Sequence, residues 1–274
     1  MKQPIGSVSA ATIGGSRRQA SRLGAVLLLA ALLLVTAGCA RSLFGDLPEC
    51  RSGLAPGSVC RVSLDRLHPT QPAVGMREVA LREAEIKAKK PKGLVKYLAK
   101  NPVEIVIGPG GEPWVVDRHH LALAVLRSGR STDLPARVRA DFSSLPPADF
   151  LARLKAENLL YLKDAQGNPI PETALPSGLS GLGDDPYRDL AYAVRKRGGY
   201  EKAEVPFSEF RWADFFRSRV RIGPGPDGFD RAVDQAVALA RTPEAAGLPG
   251  YSGTAAGSRA SGAFSVENVM DPGE

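Results

Sequence analysis

The chain has 274 residues, 43% apolar and 24% charged, an ordinary globular usage that excludes a wholly disordered, collagenous or polytopic membrane protein. Its formal charge is +7, but Lys2, Arg17, Arg18 and Arg22 supply four of those charges within residues 1–38, where no acid occurs. The other 32 basic and 29 acidic residues leave +3, too mild to argue for a nucleic-acid binder on charge alone.

Residues 1–38 have the anatomy of an export signal. A basic start leads into the apolar run Leu23 to Val35, then into Thr36, Ala37 and Gly38 ahead of Cys39. The run is shorter than the roughly 20 residues that span a bilayer comfortably. The segment resembles a bacterial lipoprotein signal, which implies acylation of Cys39 and a membrane attachment through that lipid. Thr36 departs from the pattern, where an aliphatic residue is preferred. Ordinary cleavage after Val35-Thr36-Ala37 and an uncleaved anchor are the alternatives. Each places the body in the cell envelope, on the periplasmic or extracellular side. Cys39, Cys50 and Cys60 are the three cysteines. With Cys39 lipidated, Cys50 and Cys60 remain as an even pair available for a disulfide in an oxidising compartment; two unpaired thiols are the alternative. Closing that short loop stabilises by about 2.5–3 kcal/mol in the chain-entropy model. No Cys/Cys/His zinc spacing is present.

A tether over 39–59 precedes the first predicted strand, Val59 to Leu67, which alternates with period two. Val74 to Lys90 predicts an amphipathic helix stopped by Pro91, and Leu94 to Lys100 a second one. The β-rich runs 103–107 and 114–117 flank Gly108-Pro109-Gly110-Gly111-Glu112-Pro113, a hairpin signal. A helix follows from His119 with Gly129 as its C-cap, and Pro135 to Asp141 alternates again. Helices are predicted over 146–160, 186–196, 207–220 and 229–239, with a long loop over 166–183. From Ala245 onward Gly, Ala and Ser dominate, and the reading is a flexible tail. The organisation is α+β: a mixed-sheet domain over 60–145, a mainly helical region over 146–244, and the tail 245–274.

Two of the three histidines are adjacent in Trp114-Val115-Val116-Asp117-Arg118-His119-His120, where a strand runs straight into a helix. First-turn amides lack intrahelical partners and the dipole is positive there, so the corner suits an anionic ligand. Asp117 is a candidate helix cap, general base or metal ligand. His119 and His120 are candidates for proton transfer, and His120 with Asp117 for a divalent metal. Successive helix residues point about 100° apart, so one ring is expected to face the cavity and the other to pack. His68 is a candidate to approach the same corner. The bland alternative is that Asp117 caps the helix and the histidines are satisfied polar residues. Asp184 and Asp185 read as acids at a helix start, with Arg188 pairing with one of them. Trp212, Phe215 and Phe216 read as core, with Arg211 and Arg217 on the wet side.

A strand, then Asp117-Arg118-His119-His120, then an Ala/Leu helix resembles the ParB/sulfiredoxin superfamily, most closely its ParB-like nuclease branch. Pro69-Thr70-Gln71 with Val74-Gly75, Leu175-Pro176, Asp184-Asp185-Pro186-Tyr187-Arg188, Glu209 to Asp214 and Ala245 to Gly250 extend the resemblance over about residues 60–250. The resemblance implies a small phosphate- or nucleotide-binding mixed sheet with helices and the nuclease label of the branch; Arg118, Thr70 and Gln71 are the candidate ligand contacts. Kinase-like relatives have glycine where Arg118 stands and arginine where Leu121 stands, which counts against an unchanged nucleotide site. Sulfiredoxin chemistry needs a cysteine in this motif, and none is present.

Two functions follow. One is an exported enzyme acting on a phosphate-bearing small molecule or nucleic acid, as a metal-assisted phosphodiesterase or nuclease. A nucleotide cofactor is disfavoured, since ATP is scarce outside the cytoplasm. The other is a non-catalytic envelope lipoprotein binding an anionic ligand or a protein partner, although no obligate protein partner is evident. Chromosome partitioning conflicts with export, and no helix-turn-helix DNA reader is evident.

Overall fold

The computed structural model describes residues 42–253. The export-signal, Cys39 and far C-terminal readings therefore lie outside the described residues. Within them a five-stranded mixed sheet runs in the order β1 (Val59–Ser63), β6 (Asp133–Asp141), β4 (Val103–Ile107), β5 (Pro113–Asp117), β2 (His68–Pro69). The β1–β6 and β4–β5 pairs are antiparallel, whereas β4–β6 and β2–β5 are parallel. A parallel neighbour needs a crossover. The crossover between β4 and β6 includes β5 and helix α3 (His119–Ser128).

Alternation along β4 explains why both sheet faces are covered. Val103, Ile105 and Ile107 enter a core with Val79 and Ile86 of α1 (Met76–Ala88), Leu94 and Leu98 of α2 (Pro91–Lys100), and Leu121 to Val125 of α3. Val106 points the other way, into a smaller core with Val116, and with Phe150 and Leu154 of α4 (Pro147–Ala156). A third core is built by α5 (Pro186–Lys196), α6 (Ser208–Arg217) and α7 (Gly225–Ala240), around Trp212, Phe216, Val194 and Val233. Trp212 and Phe216 are fully buried as the sequence predicts.

Several boundaries differ from the expectations, each for a local reason. The segment 42–50 is packed, so the tether does not extend to residue 59. Asp133 accepts from the Leu43 amide at 3.0 Å and from the Ser42 hydroxyl, Phe44 is buried, and Cys50 is bonded to Cys60. The helix expected to reach residue 160 ends at Ala156, because Asn158 is left-handed (φ 54°) and Leu159 and Leu160 turn into the smaller core. Helix α7 begins a turn early, with Pro226 in its first turn. Packing also continues beyond residue 244: Ala245 is fully buried, Trp212 Nε1 donates to the Pro249 carbonyl, and the Glu201 amide donates to that of Gly250. Arg217 does not face water, since its guanidinium grips both oxygens of Asp185 at 3.1 and 2.9 Å.

The sheet domain and the helical region are joined at Gly75. Strands β3 (Ala73–Val74) and β7 (Gly183–Asp184) pair in parallel, delivering both chains to the starts of α1 and α5. Helix α1 has no side-chain cap of its own. Its first amides are instead accepted by Asp184, from Met76 at 3.0 Å, and by both oxygens of Asp189, from Arg77 and Glu78 at 2.9 Å each. A Cβ at residue 75 would stand 2.1 Å from Asp189 Oδ1. Gly75→Ala is therefore expected to destabilise by about 1–3 kcal/mol through overpacking and loss of this cap. Gly93→Ala, in open space on α2, should be neutral or slightly stabilising. Urea midpoints of the two variants check this, and equal midpoints would refute the role given to Gly75.

Candidate functional site

At the end of β5 the chain enters α3 through Arg118, a non-glycine residue in the left-handed region (φ 68°, ψ 34°). Such a conformation costs of order 1 kcal/mol or more, and it persists only where the surroundings enforce it. Here Asp117 Oδ1 accepts from the Arg118 amide at 2.8 Å, and the Arg118 guanidinium donates to Asn101 Oδ1 at 2.9 Å. Asn101 is itself buried, its amide tied to the Tyr97 carbonyl. The first intrahelical backbone bond of α3 is Ala122 N–H to Arg118 C=O, and no side chain caps the amides before it.

The corner opens on a cavity of about 640 Å³. Its buried side carries a charged cluster. Glu78 Oε1 accepts from Arg82 Nε and Nη2 at 2.9 and 2.8 Å, while Oε2 lies 3.5 Å from His120 Nε2 and 3.7 Å from Arg188 Nη1. Arg188 Nη2 lies 4.0 Å from Glu209, which also pairs with Arg195 at 3.2 Å. Burial opposes ionisation of Glu78, but Arg82 and Arg188 outweigh it and hold the carboxyl at about 2. Burial likewise opposes ionisation of Glu209, yet Arg188 and Arg195 pull it below the usual carboxylate range. Asp117, Arg118 and Arg139 also line the cavity, as does the segment 202–207 that follows α5. Asp117 and Arg139 are exposed to solvent.

Both histidines line this cavity and both are buried, against the expectation that only one would face it. His119 Nε2 accepts the Thr70 amide at 3.2 Å, and His120 Nε2 accepts the Gly75 amide at 3.0 Å. Burial pushes each ring down to about 3, so both are neutral near neutrality. Rings that accept backbone N–H bonds hold the segment 70–75 against α3, a positioning task.

Among solved structures, protein Atu1540 from Agrobacterium tumefaciens is 38% identical, with a TM-score of 0.67; the match covers 72% of this chain and 97% of that one. Residues 60–218 match the family described as "Putative ParB-like nuclease". The chain belongs to that ParB-like family. No curated protein matches it.

For this ParB-like chain the structure brings Asp117, Arg118, His119, His120 and Gln71 to one cavity. Thr70 is fully buried and its hydroxyl donates to the Val115 carbonyl at 2.9 Å, so it supports the wall and has no free face for a ligand. Gln71 is braced by a bond to the Ala73 carbonyl. His68 does not approach the Asp117 corner: it pairs in register with Trp114, stacks on that ring at 4.8 Å, and lies 3.8 Å from Glu112. Asp185 caps α5, as the helix-start reading requires, whereas Asp184 caps α1 and Arg188 turns to Glu78 and Glu209. Among the described residues no group of three His, Cys, Asp or Glu side chains could hold a metal. His120 Nε2 is taken by the Gly75 amide, and no metal-dependent step is derived for Asp117 and His120. Position 121, where kinase-like relatives carry arginine, is a leucine with 2% exposure inside the core. Glu78, Arg82, Asn101 and Arg139 were not singled out in the sequence; only the amphipathic spacing of the first helix could have flagged Glu78 and Arg82 as neighbours one turn apart.

The depressed imidazoles predict an acid-labile fold. A histidine neutral when folded but free to protonate when unfolded supports stability above about pH 6.5, and that support is lost as pH falls towards 3. Asp189 acts with the opposite sign. Burial raises its carboxyl to about 7, against the two amides it accepts, so it favours the fold as pH falls from 7 towards its unfolded value. Two histidines against one carboxyl leave a net loss of roughly 1 kcal/mol per pH unit between about 6.5 and 4. Urea midpoints should fall over that range, and the His119 and His120 ring resonances should stay those of neutral imidazole at pH 5. Ring titration near 6.5 would contradict the assignment.

Proposed function

We propose that this ParB-like protein is exported, anchored by lipid at Cys39, and binds a phosphate-bearing ligand in the cavity at the start of α3. The observation that carries the ligand reading is the uncapped first turn of α3 opening on that cavity beside the Arg118 guanidinium, which Asn101 holds in place. Unpaired amides and the helix dipole favour negative charge, and a forked guanidinium matches a phosphate bidentately. Arg139 lines the same cavity from β6 with no ion pair among the described residues. The cavity lining has five basic and five acidic side chains, counting Lys and Arg against Asp and Glu. Recognition therefore rests on directed donors and not on a bulk positive field, which favours a small phosphate ester over a long polyanion. Export is supported by the signal-like residues 1–38 and by the Cys50–Cys60 disulfide, a bond at home in an oxidising compartment.

A second reading is phosphodiester hydrolysis, favoured by the exposed Asp117 carboxylate at the same corner and by the family's label. Asp117 would take the proton of an attacking water as its oxygen bonds to phosphorus, the P–O bond to the leaving group breaks and that oxygen takes a proton from solvent, while the amides of α3 and Arg118 stabilise charge on the other phosphorus-bound oxygens. With both imidazoles neutral and committed to backbone amides, neither supplies the acid.

Inorganic pyrophosphate and adenosine monophosphate are the probes, read by thermal melting and titration calorimetry. The expected result is ligand-dependent stabilisation, with Kd weakened about tenfold or more in Arg118→Ala and in Arg139→Ala. No stabilisation by either probe at millimolar concentration would refute the ligand reading. Turnover of a phosphodiester dye that disappears in a folded Asp117→Asn protein would decide for hydrolysis over binding alone.

A further inference from the structure

A second feature lies away from the residues that line the cavity. From Lys87 to Lys100 the sequence holds six lysines and no acid. Lys87 and Lys89 pair with Glu83 and Glu85. Lys90, Lys92, Lys96 and Lys100 are exposed, and among the described residues none of them makes an ion pair. On α2 the spacing i, i+4, i+8 puts Lys92, Lys96 and Lys100 in one stripe, while Leu94 and Leu98 face the core from the other side. Surfaces built only for solubility intersperse both signs, because a single-sign stripe repels itself.

The stripe is tied to the place where the described chain begins. Ser42 and Leu43 are held by the buried Asp133, whose Oδ1 also accepts from Ser131 Oγ at 3.0 Å. The adjoining Arg130 donates to the carbonyls of Ile86, Lys87 and Lys89 at 3.2, 2.6 and 2.8 Å. Those carbonyls form the end of α1, from which the lysine run departs. The chain is thus fixed from residue 42 to the lysine corner, and Cys39 precedes residue 42 by three residues. Fully extended, that reach is only about 10 Å.

We infer that the lysine face of α2, with Lys90 at its start, docks on the anionic headgroups of the bilayer that holds the Cys39 lipid. The inference rests on the lipid-anchor reading above. A basic patch beside a lipid anchor adds attraction to anionic headgroups. Each lysine near an anionic surface strengthens partition by about fivefold, and the effect fades beyond a Debye length.

The test uses the chain from Cys39 onward without lipid, which retains every described element, in flotation with vesicles of phosphatidylcholine alone or with about one-third phosphatidylglycerol. Binding is expected only to the anionic vesicles, at about 0.1 M salt and not at about 0.5 M. A variant carrying Lys90→Ala, Lys92→Ala, Lys96→Ala and Lys100→Ala should keep its urea midpoint and its response to pyrophosphate while losing about 100-fold or more in partition. Equal flotation of variant and parent, equal binding to neutral vesicles, or displacement from vesicles by a DNA duplex would each overturn the lysine face. In cells, a full-length Cys39→Ala chain that fractionates like the parent would instead overturn the anchor, so the two failures are read separately.

Discussion

The structure turns on how the buried backbone between Thr70 and Glu78 finds its hydrogen-bond acceptors. This segment crosses from the sheet edge to the start of α1 in an interior where an unpaired N–H costs as much as a lost hydrogen bond. Its acceptors are side chains from three other elements: His119 and His120 of α3 take the amides of Thr70 and Gly75, and Asp184 of β7 and Asp189 of α5 take those of Met76, Arg77 and Glu78. Sheet domain and helical region therefore share one polar joint. Gly75 sits at its centre, because only a residue without Cβ leaves room for the Asp189 carboxylate.

That joint fixes Glu78 on the first turn of α1, with its carboxylate buried against the cavity. Burying a charge is expensive, and an ion pair repays the expense only with good geometry and added hydrogen bonds; removing one partner is worse than never having built the pair. Glu78 meets the condition at Oε1 through the two bonds from Arg82, while Oε2 has no hydrogen bond and faces Arg188, which with Glu209 extends the cluster across to α5 and α6. An anion entering the cavity thus meets arginines whose charge is largely answered by carboxylates. On the proposed anion-binding reading, the attraction comes from donors not matched in this way, which are the α3 amides, Arg118 and Arg139.

Much of this was legible in sequence. Alternation and Gly/Pro punctuation located β4, β5, β6 and α3, and the Asp117 to His120 run located the cavity corner, because both signals depend on residues adjacent in the chain. The signals that failed were long-range. Nothing near His68 says that Trp114 lies beside it, and nothing near Asp184 says that the helix it caps begins 108 residues earlier, at Met76. In sequence Arg188 pairs with its acidic neighbours, but the parallel β3–β7 contact brings Glu78 to it. The chemistry of the histidines was also hidden. An imidazole at a helix start suggests proton transfer until burial and a backbone donor are seen, and both are properties of the folded chain.

The treatment of helix starts separates scaffold from site. Helix α1 spends two remote carboxylates on its first amides, and α5 is capped by Asp185, so the dipoles at these buried starts are answered within the protein. Helix α3 starts just as deep, yet the residue at its cap position is an arginine in a strained left-handed conformation whose side chain points to Asn101 and leaves the amides alone. The adjacent imidazoles, kept neutral by burial, add no positive charge of their own and direct their acceptor nitrogens to segment 70–75. Helix α6 starts in the same way, uncapped behind the left-handed Phe207, and both starts line the cavity, which is what the proposed binding of a negative group there draws on.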